Sequence, residues 1–305
     1  KELLRYFPQP LQKKYATEME KHRLKREIIA TAVTNTTINR MGATFLLRMQ
    51  EDTGRSPAEV AKAFTITRET LDARALWNQI DALDGKVPES VQIDALQVIW
   101  QVQRNFTRWL LTRQGPIPAI ATAVERYHDG FNEIRAADGV LPDSLRPAYN
   151  ASLQAWKDKG LPAALAGQIA ALPYLEPSCD IIELARARKL KPVEVSKVHY
   201  RLGEALHLPW LQDQIEALKV DGRWHAVARG VLRDELAAHQ RTLTNQVLSL
   251  PGGNADAKVR AWLGRDDAGL RFTLNMLNEL AAQKTLDYPT ASVAVQRLGQ
   301  LASQG

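Results

Sequence analysis

One cysteine, Cys179, stands alone among 305 residues, so no disulfide can form within the chain. Apolar runs all fall short of the roughly 20 residues that a bilayer-spanning helix needs, and the first residues lack the charged segment, apolar stretch and cleavage site of a secretory signal. A soluble protein without membrane contact, located in the cytoplasm, is the expectation. Runs of alternating β-branched and polar residues are missing, as are turn dipeptides between strand-like segments, which argues against a sheet. Neither G-x-G-x-x-G nor a Walker sequence is present, so no phosphate-cradling loop is expected. The histidines at 22, 128, 199, 207, 225 and 239 never form H-E-x-x-H, and no cysteine joins them, so no metal site is expected either. Cys179 precedes Asp180-Ile181-Ile182-Glu183, a helix start, and reads as a buried or half-buried thiol.

Charge is present but unevenly spread. The net charge is +6, and residues 1–50 hold ten Lys or Arg against four Glu, so the whole excess lies at this end. A helix such as Lys21-His22-Arg23-Leu24-Lys25-Arg26-Glu27 suits a solvated face, an acidic protein surface or nucleic acid phosphates. The pairs Glu51-Asp52 and Asp266-Asp267 read as a solvated last turn and a helix N-cap, with no acid-base role. Ile99, Val102, Phe106 and Trp109 recur at helical spacing and form a core stripe, with Arg104 and Arg108 beside it.

Helix starts are chemically specific. Ser56-Pro57-Ala58-Glu59 joins a hydroxyl N-cap, a proline at the first helical position and a glutamate at the third, a capping box. Similar starts occur at Val87-Pro88-Glu89-Ser90, Pro142-Asp143-Ser144 and Gly160-Leu161-Pro162, and breaks fall at 115–118, 140–142, 172–173 and 251–253. The pattern predicts an all-α multi-helical array of roughly a dozen helices.

Sliding the chain by 135 residues reveals an internal repeat. Pro57–Leu83 aligns without a gap on Pro192–Leu218, with 11 of 27 positions identical, among them Val60/Val195, Leu71/Leu206, Leu76/Leu211 and Ile80/Ile215. A long amphipathic helix follows each copy, over 87–113 and 222–249. Duplicated units of this kind stack or pair to complete a core. The predicted division is into halves 1–159 and 160–305, or a single compact helical domain.

The block from His22 to Gly54 is unusual because its middle is polar. Ile28, Ile29, Ala32, Val33, Ile38, Met41, Phe45, Leu46 and Met49 recur with the period of a helix, or two in tandem, burying one face. Thr31, Asn35, Asn39 and Gly42 share that spacing and form a polar seam. Asn and Gly both weaken a helix, so the seam calls for a packed partner backbone or a break near Arg40. The partner is another helix of the same core or another domain. In the second case Arg26, Thr31, Asn35, Asn39, Arg40 and Gly42 are the candidate contact residues. A different reading takes 56–76 as a helix-turn-helix, with Thr67-Arg68-Glu69-Thr70 opening a recognition helix for nucleic acid. The turn Phe64-Thr65-Ile66 lacks the usual glycine, and the second copy loses the threonines, so this reading is the alternative.

Several long blocks carry a family resemblance: Tyr6-Phe7-Pro8, the stretch from His22 through Phe64, LWNQIDALDGKVP, TRWLLTR, CDIIELARARKLKPVEVSKVHYRLGEALHLPWL, DGRWHAVARGVLRDEL and SVAVQRL. In this order they resemble the C-terminal region of the large bacterial NAD-dependent glutamate dehydrogenases, over nearly the whole chain. The resemblance implies a parent enzyme that oxidises glutamate to 2-oxoglutarate and ammonium while reducing NAD. It also implies that the substrate lysine and the NAD-binding fold sit in a catalytic core elsewhere in the same polypeptide. No catalytic, cofactor-binding or metal residue is therefore transferred to this chain. The expected role is a non-catalytic helical scaffold that packs on that core and supports homo-oligomer assembly or regulation.

Overall fold

The computed structural model describes residues 2–113, 115–137, 140–283 and 285–304. Among these there are eighteen α-helices, one short 3-10 helix at Leu172–Leu175 and no strand, so the fold is all-α. Helices outnumber the expected dozen because several breaks use no glycine or proline. Asp72 (φ +50°), Lys189 (φ +56°) and His207 (φ +52°) take left-handed conformations that the sequence does not announce.

Contacts divide the chain into two units, Lys1–His128 and Asp129–Gly305, each holding one repeat copy. The halves 1–159 and 160–305 separate the copies too; the two divisions differ only in where residues 129–159 belong. In the first unit, helix Pro57–Thr70 packs on the long helix Glu89–Thr112, and Val60, Phe64 and Ile66 of the one and Ile99, Val102 and Phe106 of the other are buried. That burial confirms the 99–109 stripe as core, and Phe106, Trp109 and Tyr127 stack edge to face with centroids 5.8–6.3 Å apart. In the second unit, Pro192–Ala205, Arg223–Leu248 and Tyr288–Ser303 form the centre. Gly130 is needed there, since a Cβ would come within 2.8 Å of Ile182 Cγ1.

The two copies have matching backbones. Helices Pro57–Thr70 and Pro192–Ala205 start and stop 135 residues apart, and Ala73–Asp81 and Leu208–Ala217 start at that same offset. The residues before the second helices, Asp72 and His207, share the left-handed conformation. The Val, Leu and Ile identities of the copies lie in the core: Val60, Val195, Leu206, Leu211 and Ile215 are all fully buried. Each long helix also has an arginine at its C-terminal end that lies outside the aligned stretch. Arg55 donates from Nε to the Leu111 carbonyl at 3.0 Å and from Nη2 to those of Arg113 and Gly115 at 2.7 and 3.0 Å. Arg188 donates to Asn245 Oδ1, the Asn245 carbonyl and Ser249 Oγ at 2.6–2.9 Å. A cation there satisfies carbonyls that the helix leaves without partners and offsets the negative end of its dipole.

Helix starts behave as their chemistry requires. Ser56 and Glu59 close the reciprocal capping box, and the Ser56 backbone and hydroxyl hydrogen bonds hold the Glu59 carboxyl below its ordinary range. Asp267 accepts from the Leu270 N–H at 3.0 Å as an N-cap. The start read at Pro142-Asp143-Ser144 is displaced: a turn closed by Leu145 N–H on the Pro142 carbonyl comes first, and the helix begins at Arg146.

Candidate docking face

The His22–Gly54 block folds as two tandem helices, Lys25–Met41 and Phe45–Thr53. Gly42 makes the break, with φ +88° in a region that favours glycine, and its N–H donates to the Ile38 carbonyl at 2.9 Å. The second helix buries Phe45 and Met49 as its periodicity predicts. The first does not. Of its 17 residues only Thr37 is buried, and Ile29 and Ile38, expected on the core face, are 37% and 39% exposed.

Thr36 and Thr37 return their hydroxyls to the carbonyls of Ala32 and Val33, at 2.7 and 2.8 Å, so they need no partner helix. Thr31, Asn35 and Asn39 are exposed, and among the described residues no side-chain hydrogen bond holds either amide. The seam is thus not a helix-helix hydrogen bond inside a described core. Arg26 is exposed on the first turn. Arg40 is engaged within the first unit, where it pairs with Asp81 at 3.1 Å and lies 4.8 Å over the Trp77 ring. It therefore steadies this helix against Ala73–Asp81. Leu24, 53% exposed, extends the apolar edge at the N-terminal end.

The helix-turn-helix reading fails on geometry. Phe64-Thr65-Ile66 lies inside one continuous helix, Pro57–Thr70, and Thr67, Arg68 and Thr70 are buried, where no base edge can reach them. Arg68 is tied to Glu69 at 2.9 Å, and Arg5 and Arg74 approach the same carboxylate at 3.6 Å. Burial opposes ionisation of Glu69, but Arg68, Arg5 and Arg74 outweigh it and hold the carboxyl below its ordinary range. Thr67 and Thr107 hydroxyls meet at 3.1 Å between Pro57–Thr70 and Glu89–Thr112. Cys179 is buried. Among the described residues no group of three or more His, Cys, Asp or Glu is placed to hold a metal ion, and no helix is long and apolar enough to cross a membrane.

Comparison with known proteins gives this geometry a family. A family model described as glutamate dehydrogenase, C-terminal, matches residues 1–300. The chain is 34% identical to the NAD-specific glutamate dehydrogenase of Halomonas elongata over 301 residues, covering 98% of this chain and 19% of that protein. Against the NAD-specific glutamate dehydrogenase of Pseudomonas aeruginosa the identity is 34% over 304 residues, with 97% and 18% covered. Against that of Mycobacterium tuberculosis it is 24% over 307 residues, with 98% and 18% covered. The chain spans about a fifth of the length of these curated relatives. A match that runs through both repeat copies and the tandem helices alike places the chain in the glutamate dehydrogenase C-terminal family.

Proposed function

We propose that this chain is a non-catalytic helical scaffold within a large NAD-dependent glutamate dehydrogenase. The reaction of the whole protein, L-glutamate with NAD and water to 2-oxoglutarate, ammonium and NADH, belongs to a catalytic core in the same polypeptide. Substrate and NAD bind there and not on this chain, and the enzyme works as a homo-oligomer in the cytoplasm.

The supporting observation is helix Lys25–Met41, a 17-residue helix with one buried residue. Six of those residues are Thr or Asn, at 31, 34, 35, 36, 37 and 39. Their weak helix propensity costs about 3–4 kcal/mol relative to alanine, and a helix of this length owes most of its stability to tertiary packing. A face that combines short polar side chains with Leu24 and Ile38 suits close packing against a surface with its own backbone or amide groups. The remaining four-fifths of the polypeptide, judged by the length of the relatives, is the partner. In this role Asn35, Asn39 and Thr31 meet the partner, Arg26 lies at the edge, and Arg40 and Gly42 set the angle of the helix.

Deleting this chain from the full-length enzyme tests the proposal. Sedimentation mass should change and NADH formation from glutamate should fall, while the 305-residue chain alone should form no NADH. Unchanged mass and turnover after the deletion would overturn the scaffold.

A further inference from the structure

A cavity of about 290 Å³ opens in the second unit between the end of helix Ile120–Ala136, the first turns of Arg146–Asp158 and residues 171–175. It offers the volume of about ten waters at roughly 30 Å³ each, near the lower end for a small-molecule site. Its lining joins apolar Ile134, Val140 and Leu175 with Arg135, Arg146 and Tyr149, and holds no carboxylate among the described residues.

The polar groups favour an anion. Among the described residues no carboxylate pairs with Arg135, whose guanidinium lies 5.9 Å over the Phe131 ring. Arg146 pairs with Asp143 at 3.1 Å, but the two side chains are 51% and 94% exposed, a surface pair that an anion held by two arginines displaces readily. Tyr174 and Tyr200 remain phenols: burial, helped by Asp213 beside Tyr174 and Glu176 beside Tyr200, pushes both hydroxyls up from their ordinary value. Tyr200 spends its hydroxyl on the Tyr174 carbonyl, so it presents its ring. Tyr149 and Tyr174 meet edge to face, centroids 6.1 Å apart.

Aromatic and apolar side chains would leave a bare phosphate poorly matched, whereas a flat apolar body with one carboxylate matches the apolar and the cationic residues of the lining. We propose that this cavity binds a small aromatic carboxylate, its carboxylate held by Arg135 and Arg146 and its ring against the tyrosines and Leu175. The proposal goes beyond the scaffold role and stands independently of it.

Titration calorimetry of the 305-residue chain with benzoate tests it, with benzamide and inorganic phosphate as comparisons. Benzoate should bind saturably with a Kd of about 1 mM. Arg135→Gln should weaken it about tenfold by removing a charge-assisted contact, Ala171→Phe should abolish it by filling the cavity, and benzamide should not bind. Three results would each overturn the proposal: no saturation by about 20 mM benzoate, unchanged binding in both variants, or phosphate binding as tightly as benzoate.

Discussion

Replacing His199 by phenylalanine should flatten the acid side of the stability profile. The imidazole is buried between Pro192–Ala205 and Arg223–Leu248, where Nδ1 lies 3.2 Å from Thr244 Oγ1. That hydroxyl gives its own proton to the Gln240 carbonyl at 2.7 Å, so it accepts from Nδ1–H, and burial keeps the ring neutral. Burial lowers the pKa of His199 from 6.5 to about 4. The unfolded chain therefore binds a proton near pH 6.5 that the folded chain refuses until about pH 4. Stability is fully present above the unfolded value and falls as pH drops through that window. Integrating the two titrations from about pH 7 to about pH 5 gives a loss of about 2 kcal/mol. Phenylalanine is the natural replacement because the equivalent position in the first copy is Phe64, itself fully buried. Urea unfolding followed by far-UV circular dichroism at the two pH values, wild type against His199→Phe, isolates the effect. Other groups with lowered or raised values, His239 and Asp213 among them, are common to both proteins and cancel. The variant loses the bond to Thr244 at every pH, a constant offset of about 1 kcal/mol. Equal pH slopes in the two proteins would refute a buried neutral imidazole.

Arg55→Ala should destabilise the first unit by about 2 kcal/mol in denaturant unfolding, because it strips the end of Glu89–Thr112 of a cation donating to three carbonyls. Arg188→Ala should act in the same direction on the second unit, through the end of Arg223–Leu248. Asn35→Ala with Asn39→Ala should leave the unfolding free energy of the 305-residue chain unchanged or raise it by up to about 1 kcal/mol, since both side chains are exposed on a helix that alanine favours. The same pair in the full-length enzyme should weaken assembly, read as a lower sedimentation mass on dilution.

Local chemistry was legible in the sequence wherever a few adjacent residues decide it. The Ser56–Glu59 box, the Asp267 cap and the stop at Gly252-Gly253, both at positive φ, require no distant partner. The repeat was legible too, because five of its identical positions, Val60, Leu71, Leu76, Ile80 and Leu83 in the first copy, are apolar residues that face inward. Burial of the seam helix was not. Periodicity states which residues share a face, and Ile29 does lie one turn from Val33, which Thr37 and Met41 follow at the same spacing, but only a partner determines whether a face is covered, and Ile38 falls half the helix circumference away from Ile29. The arginine caps escaped for a different reason: Arg55 and Arg188 precede their repeat copies by two and four residues, so no fixed spacing links them. Nor did the helix-turn-helix pattern reveal that Arg68 points into a cluster with Glu69, since one Thr-Arg-Glu-Thr string fits an exposed helix start and a buried helix end equally well.

Amide hydrogen exchange over helix Lys25–Met41 tests the docking claim most directly, measured once in the 305-residue chain and once in the full-length enzyme. With one buried residue and weak propensity, the helix should open readily in the chain alone, and its amides should slow by about tenfold or more when the rest of the polypeptide covers it. Equal exchange in both proteins would mean that nothing docks on this face.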